Sequence, residues 1–346
     1  MNDMAMAVEA LQQAIIQEPG YLLAWIARDG AEAVDRCKQD TPDLILMDLM
    51  MPVMDGAEAT RRIMNETPCP ILIVTSTVET YSTKVFEALG AGALDAVQLP
   101  LLGEGGETTG SAALKYKINQ IERLGSHDKS NERHNKDAQN EPSPGSEACD
   151  RLIAIGASAG GPAALETILR GLSRYFPAAI VIIQHVDAQF VPSMANWLNE
   201  TSAISVRVAR QGDKPQANVA LIAGTNDHLL LTNSRSLGYT PNPRHCFFRP
   251  SIDVFFHSVV RHWRGHTAGV LLTGMGRDGA KGLRAMRDAG SLTMAQDAAT
   301  SVVYGMPKAA AELNAAAKIL PLNEISNGLI SFAFHPTRRL TDKHFE

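Results

Sequence analysis

The chain has 346 residues, more than one domain usually holds, and with 45% of them hydrophobic it can bury two cores. Its net charge of -5, with no long basic run, excludes a nucleic-acid footprint built on phosphate neutralisation. Cys37, Cys69, Cys149 and Cys246 are scattered, with no C-x-x-C pair, which argues against a zinc site or a disulfide framework. No apolar run nears the roughly 20 residues of a membrane span and the start lacks an export signal, so a cytoplasmic protein without membrane insertion is expected.

In chain order, residues 6–16 show helical spacing, 21–26 read as a strand and 31–38 as a helix. Asp43-Leu-Ile-Leu-Met-Asp48 is a buried strand ending in a carboxylate, and Met51-Pro52 precedes a helix from about 56 to 65. Strand 71–75, helix 86–90, strand 93–99 and helix 112–124 follow. From 125 to 148 the apolar residues nearly vanish, a composition that cannot offset ordering entropy and reads as a flexible linker. The alternation then resumes with strand 152–155, helix 162–172, strand 179–184 and helix 191–198. Short strands near 219–222 and 228–232 suggest a β-hairpin insertion; helix 252–263, strand 268–273, helix 280–288 and strand 292–295 complete the pattern. Both halves are α/β, each a parallel sheet covered on two faces, and no internal repeat links them.

In the second half, Gly156-Ala-Ser158-Ala-Gly160 lies between a strand and a helix, where small residues allow the sharp turn that exposes a nucleophile. Backbone N–H groups of the helix start lie near Ser158 and suit an oxyanion. Ser158 as a helix N-cap is the plain alternative. His185 ends the next strand and would act as base; Asp278 follows a third strand and would orient His185, or else cap the helix starting near Gly279. Gly274-x-Gly276-x-x-Gly279, with Asp297 beyond the next strand, also fits a dinucleotide fingerprint, a competing reading that leaves Ser158 and His185 idle. The spacing of His257, His262 and His266 does not put three ligands on one helical face, and Arg244, Arg249, Arg261 and Arg264 suit an acidic protein surface.

In the first half, Asp48 would project from a strand end within reach of metal-assisted phosphoryl transfer, with Thr75 donating to an acyl phosphate and Asp3 helping to hold Mg²⁺. Alternatively, Asp48 and Asp55 cap helices and Thr75 merely ends a strand.

The run Asp43-Leu-Ile-Leu-Met-Asp48-Leu-Met-Met-Pro52-Val-Met-Asp55-Gly56 resembles the phosphorylation region of response-regulator receivers. Ile155-Gly-Ala-Ser158-Ala-Gly-Gly-Pro162, Gln184-His185 and Leu272-Thr-Gly-Met275-Gly-Arg-Asp278-Gly279 resemble the chemotaxis protein-glutamate methylesterases. The start, Asn2-Asp3-Met-Ala-Met-Ala-Val-Glu-Ala-Leu11, resembles the branch associated with Wsp-type surface sensing. The resemblance implies two doubly wound domains, a flavodoxin-like receiver over 1–124 and a Rossmann-like esterase over 149–346 with a β-hairpin, joined by linker 125–148. It implies Ser158, His185 and Asp278 as the triad, backbone at Ala159 and Met275 as oxyanion donors, and Asp48 as phospho-acceptor with Mg²⁺. The esterase itself implies no cofactor. The implied substrate is a glutamate methyl ester, or a glutamine, on a chemoreceptor, and the implied phosphodonor is a chemotaxis-type histidine kinase. The receiver is implied to cover the esterase until it is phosphorylated. Two positions depart from the pattern: receivers begin with an apolar strand ending in paired acids, here replaced by Met1-Asn2-Asp3, and Leu99 stands before Pro100 where receivers carry lysine.

Overall fold

The computed structural model describes residues 5–16, 20–75, 82–102, 108–109, 111–125 and 150–334. Helix α1 (Ala5–Ile16) and α2 (Gly30–Gln39) precede β1 (Ile45–Asp48), α3 (Gly56–Glu66), β2 (Ile71–Thr75), α4 (Ser82–Gly90) and β3 (Asp95–Gln98). Two short strands, β4 (Leu101–Leu102) and β5 (Thr108–Thr109), and α5 (Ser111–Gly125) close the first half. Carboxylates start α2 and α3: Asp29 accepts from the Ala31 and Glu32 amides, and Asp55 from Glu58, where free N–H groups and the helix dipole favour negative charge. Three strands of this half form a parallel sheet in the order β1-β2-β3, with Asp48 opposite Val74 and Thr75 opposite Gln98, and β4 and β5 form a separate antiparallel pair.

Residues 21–26, expected as a strand, form none. A strand needs a neighbour for its N–H and C=O groups, and a cavity of about 900 Å³, lined by Leu11, Tyr21, Trp25, Leu44, Leu46 and Ile118, lies between this segment and β1. Trp25 Nε1 donates instead to the Asp40 carbonyl at 2.8 Å. Cys37 and Cys69, distant in sequence, meet with sulfurs 3.9 Å apart, and burial together with Cys37 pushes the Cys69 thiol up to about 12. The linker expected over 125–148 lies outside the described residues apart from its first.

The second half begins with β6 (Arg151–Ala157), α6 (Gly161–Arg170), β7 (Ala179–Gln184), α7 (Val191–Thr201), β8 (Ser205–Val208) and β9 (Val219–Ile222). The hairpin β10 (His228–Leu231) and β11 (Leu237–Thr240) is antiparallel, as expected, and α8 (Ile252–His262) follows. Then come β12 (His266–Leu271), α9 (Ala280–Asp288), β13 (Leu292–Gln296), α10 (Met306–Glu312), β14 (Lys318–Leu320) and α11 (Leu322–Phe334). Seven parallel strands form one sheet in the order β14-β13-β12-β6-β7-β9-β8. β7 is buried throughout, which fits a sheet covered on both faces and explains its unbroken apolar run. Strand order reverses beside β6, so the carboxyl ends of β12, β6 and β7 share the crevice at which α/β sheets place their chemistry.

The halves meet through α4. Phe86 stacks on Trp197 of α7 with ring centres 5.5 Å apart and planes at 13°, and one apolar core runs from the first sheet through α4 to α6 and α7. At Gly90 the contact is so close that an added Cβ would lie 2.8 Å from that of Ala163 on α6.

Candidate active site

The three strand ends deliver their side chains as their order requires. Ser158 follows β6, His185 follows β7, and Asp278 lies in the turn between β12 and α9. His185 Nε2 and Asp278 Oδ2 are 2.9 Å apart, with side chains 7% and 10% exposed. Asp278 also accepts from the Ile252 and Asp253 amides at 2.7 and 3.1 Å and from Ser251 Oγ at 2.9 Å. It therefore sits on the N-terminus of α8, not on that of α9, whose N-cap is Gly279 without a side-chain bond. Burial alone would raise the Asp278 carboxyl. The His185 hydrogen bond and charge and the two amides outweigh it and hold the group below the usual carboxylate value. Asp253, half-buried beside it, goes the other way: burial and the Asp278 charge push it up to about 7.

Ser158 is not a helix cap either, since Gly160 occupies that position of α6 in a left-handed conformation. The Ser158 amide donates to Thr273 O, and a Cβ on Gly274 would come within 2.6 Å of the Ser158 Cβ, so β12's continuation must carry glycine there. Gln184 Nε2 donates to the carbonyls of both Ser158 and His185, at 2.9 and 3.2 Å, tying the two strand ends together. Ser158 and His185 line one cavity of about 290 Å³, and the buried His185 Nδ1 has no hydrogen-bond partner, so the serine–histidine bond is not made in this state. Catalytic hydrogen bonds commonly tighten only when substrate arrives. The Ala159 and Met275 amides at the same cavity donate to no acceptor among the described residues, and Phe248 stacks flat on the His185 imidazole with ring centres 4.1 Å apart. The opposite wall comes from the first half: Leu94, Asp95, Lys117 and Ile121, with Lys117 Nζ 2.5 Å from Asp95 Oδ2.

The dinucleotide reading fails on the same turn. Gly276 and Gly279 have positive φ, and a Cβ on Gly279 would strike Ile252 and Leu271 at 2.6 Å, so the glycines shape the bend that carries Asp278 to α8. The α9 start is taken by Asp253, which accepts from Gly282 N at 2.6 Å where a pyrophosphate would bind, and Asp297 closes its own loop onto Thr300.

In the first half, Asp48 Oδ1 accepts from the Leu49 amide at 2.7 Å at the end of β1, and buried Thr75 ends β2 on the neighbouring strand. Asp55 caps α3, as the plain reading had it, and also takes Lys84 Nζ at 2.7 Å. Asp3 lies outside the described residues. Among the described residues, no group of three or more histidine, cysteine or carboxylate side chains is gathered for a metal. Sequence reasoning gave no role to Ser251, His228, Gln184 and Phe248; only Gln184, quoted beside His185 in the motif, had a local signal.

Fold and site together define a serine hydrolase of the α/β class joined to a regulatory α/β unit. The family description CheB methylesterase matches residues 153–329, and that of the response regulator receiver domain matches residues 1–102. The chain is 55% identical over 331 residues to a protein-glutamate methylesterase/protein-glutamine glutaminase of Burkholderia thailandensis, covering 96% of each. It is 54% identical over 327 residues to one of Bordetella avium, covering 94% of each. The solved catalytic domain of Thermotoga maritima CheB methylesterase matches 52% of this chain and 97% of its own length at 33% identity and a TM-score of 0.50. The chain belongs to the CheB protein-glutamate methylesterase family.

Proposed function

We propose that Ser158, His185 and Asp278 are the catalytic triad of this methylesterase, with the Ala159 and Met275 amides as oxyanion donors. The observation that carries the reading is the Asp278 carboxylate, bound at once to His185 Nε2 and to the α8 amides, which leaves His185 Nδ1 without a partner in a residue that shares a cavity with Ser158. Ser158 Oγ attacks the ester carbonyl as His185 Nδ1 takes its proton; the Asp278 charge stabilises the imidazolium. His185 then gives that proton to the departing methoxide, releasing methanol and leaving an acyl-serine. Water, deprotonated by His185, hydrolyses it to glutamate and free Ser158. With glutamine the leaving group is ammonia and the rest is unchanged. The substrate side chain belongs to a chemoreceptor. Ser158→Ala should abolish methanol release and labelling by a serine-reactive phosphonate; release at the wild-type rate would reject the triad.

The receiver spans 1–124, the linker 125–148 and the esterase 149–346, in the cytoplasm. Asp48 takes the phosphoryl group from a chemotaxis-type histidine kinase, and Thr75 donates to it. Mg²⁺ keeps several waters and needs only one or two carboxylates, so Asp48, a hard oxygen donor, would hold it together with Asp3, and the ion would neutralise phosphoryl charge. Phosphorylation loosens the α4 contact and withdraws the Asp95–Lys117 wall, a population shift between two packings. Phosphodonor should raise turnover; an unchanged rate with Asp48 fully phosphorylated would reject this control.

A further inference from the structure

His228, at the start of β10, is fully buried and far in sequence from the triad. Its Nε2 lies 3.1 Å from the Pro243 carbonyl, and its Nδ1 accepts from the Ser251 amide at 3.1 Å. A carbonyl only accepts and an amide only donates, so these partners admit a single form, the neutral imidazole with its proton on Nε2. Pro243 lies near the start and Ser251 at the end of the loop between β11 and α8. That loop carries Phe248, stacked on His185, and Arg249, on the cavity wall. Its last residue, Ser251, donates to Asp278.

We infer that His228 is a positioning residue of the esterase: as the neutral Nε2–H imidazole it clamps both ends of the 243–251 loop and holds Ser251, Asp278 and Phe248 in place around His185. The inference rests on the triad assigned above. A proton on Nδ1 would face the Ser251 N–H, break that bond and release the α8 end of the loop. Burial is the largest influence on His228 and lowers its proton affinity; the Pro243 carbonyl opposes it, Arg249 in the loop adds to it, and Asp278 before α9 and Asp227 beside β10 also oppose it. The clamp is thus closed at neutral pH and opens as pH falls.

The test compares the intact chain with His228→Leu, His228→Asn and Ser158→Ala, following methanol release from a methylated chemoreceptor between about pH 5 and pH 8. Leucine removes both bonds and should lower kcat about 10–100-fold with little change in KM, the scale on which small misplacements act. Asparagine places Oδ1 where Nδ1 stood, keeps the Ser251 bond and does not titrate. It should recover most of kcat and give an acid limb of log kcat/KM with slope one, where the wild type steepens toward two. Unchanged kcat in His228→Leu, or identical acid limbs in the wild type and His228→Asn, would overturn the inference. Imidazole ¹⁵N spectra of the intact chain give a second reading that needs no turnover: His228 should be the Nε2–H tautomer at neutral pH, and a doubly protonated or Nδ1–H ring there would refute the clamp. Release that persists in Ser158→Ala would instead overturn the triad, leaving the tautomer measurement to decide His228 separately.

Discussion

Asp278 and Asp253 stand at the same helix start with opposite electrostatic fates. Asp278 has a depressed folded value, so its ionised form contributes stability above its unfolded value, and that contribution is lost as pH falls through the lower folded one. Asp253 is raised from 3.8 to about 7, so it costs stability as pH rises from 3.8, with the full cost present above 7. Asp253→Asn keeps an oxygen for the Gly282 amide and removes the charge beside Asp278. Its melting temperature should match that of the wild type near pH 4, exceed it progressively toward neutral and stay higher by a constant margin beyond, as read by calorimetry across pH. Asp278→Asn should lower kcat about 10³–10⁴-fold, because an amide holds the imidazole less surely and cannot offset its charge, and should also lower the melting temperature. Ser158, His185 and Asp278 were legible in the sequence because each follows a strand, and a parallel sheet puts strand ends at one edge. Ser251 and His228 were not, because what matters at each is a partner 20 or more residues away: Asp278 is 27 from Ser251, and Ser251 is 23 from His228.

Among the elements, α4 carries the packing between the two halves. Gly90 ends it where an added Cβ would meet Ala163, so Gly90→Leu should wedge α4 off α6. Turnover of the unphosphorylated chain should rise several-fold while the response to phosphodonor shrinks; an unchanged basal rate would place the control elsewhere. Most elements followed from hydrophobic period, since β2 and β7 are unbroken apolar runs and α3 is capped by Asp55. The sequence misled at 21–26, whose composition suits a strand but whose neighbour is a cavity rather than a ladder. It was silent on β8, β14 and α10, too short for any period to register, and also on α11, whose 13 residues are long enough to carry one.

At the scale of the molecule, one crevice is built from both halves: the second supplies Ser158, His185 and Phe248, and the first supplies Asp95 and Lys117. In the proposed control such a wall would exclude a receptor side chain until the receiver moves, and the contact that buries apolar surface along α4 would also set access. The receiver reading was carried by the Asp48 and Asp55 motif, whereas the docking of the halves depends on Phe86 meeting Trp197, a pairing across 111 positions that no local pattern announces. The most direct measurement is methanol release from a methylated chemoreceptor fragment by the intact chain with and without phosphodonor, by Ser158→Ala, and by residues 149–346 alone. Release that rises with phosphodonor, is fastest in the isolated segment and vanishes in Ser158→Ala is the predicted result. Equal release from Ser158→Ala, or none from the intact chain and the segment alike, would contradict the account.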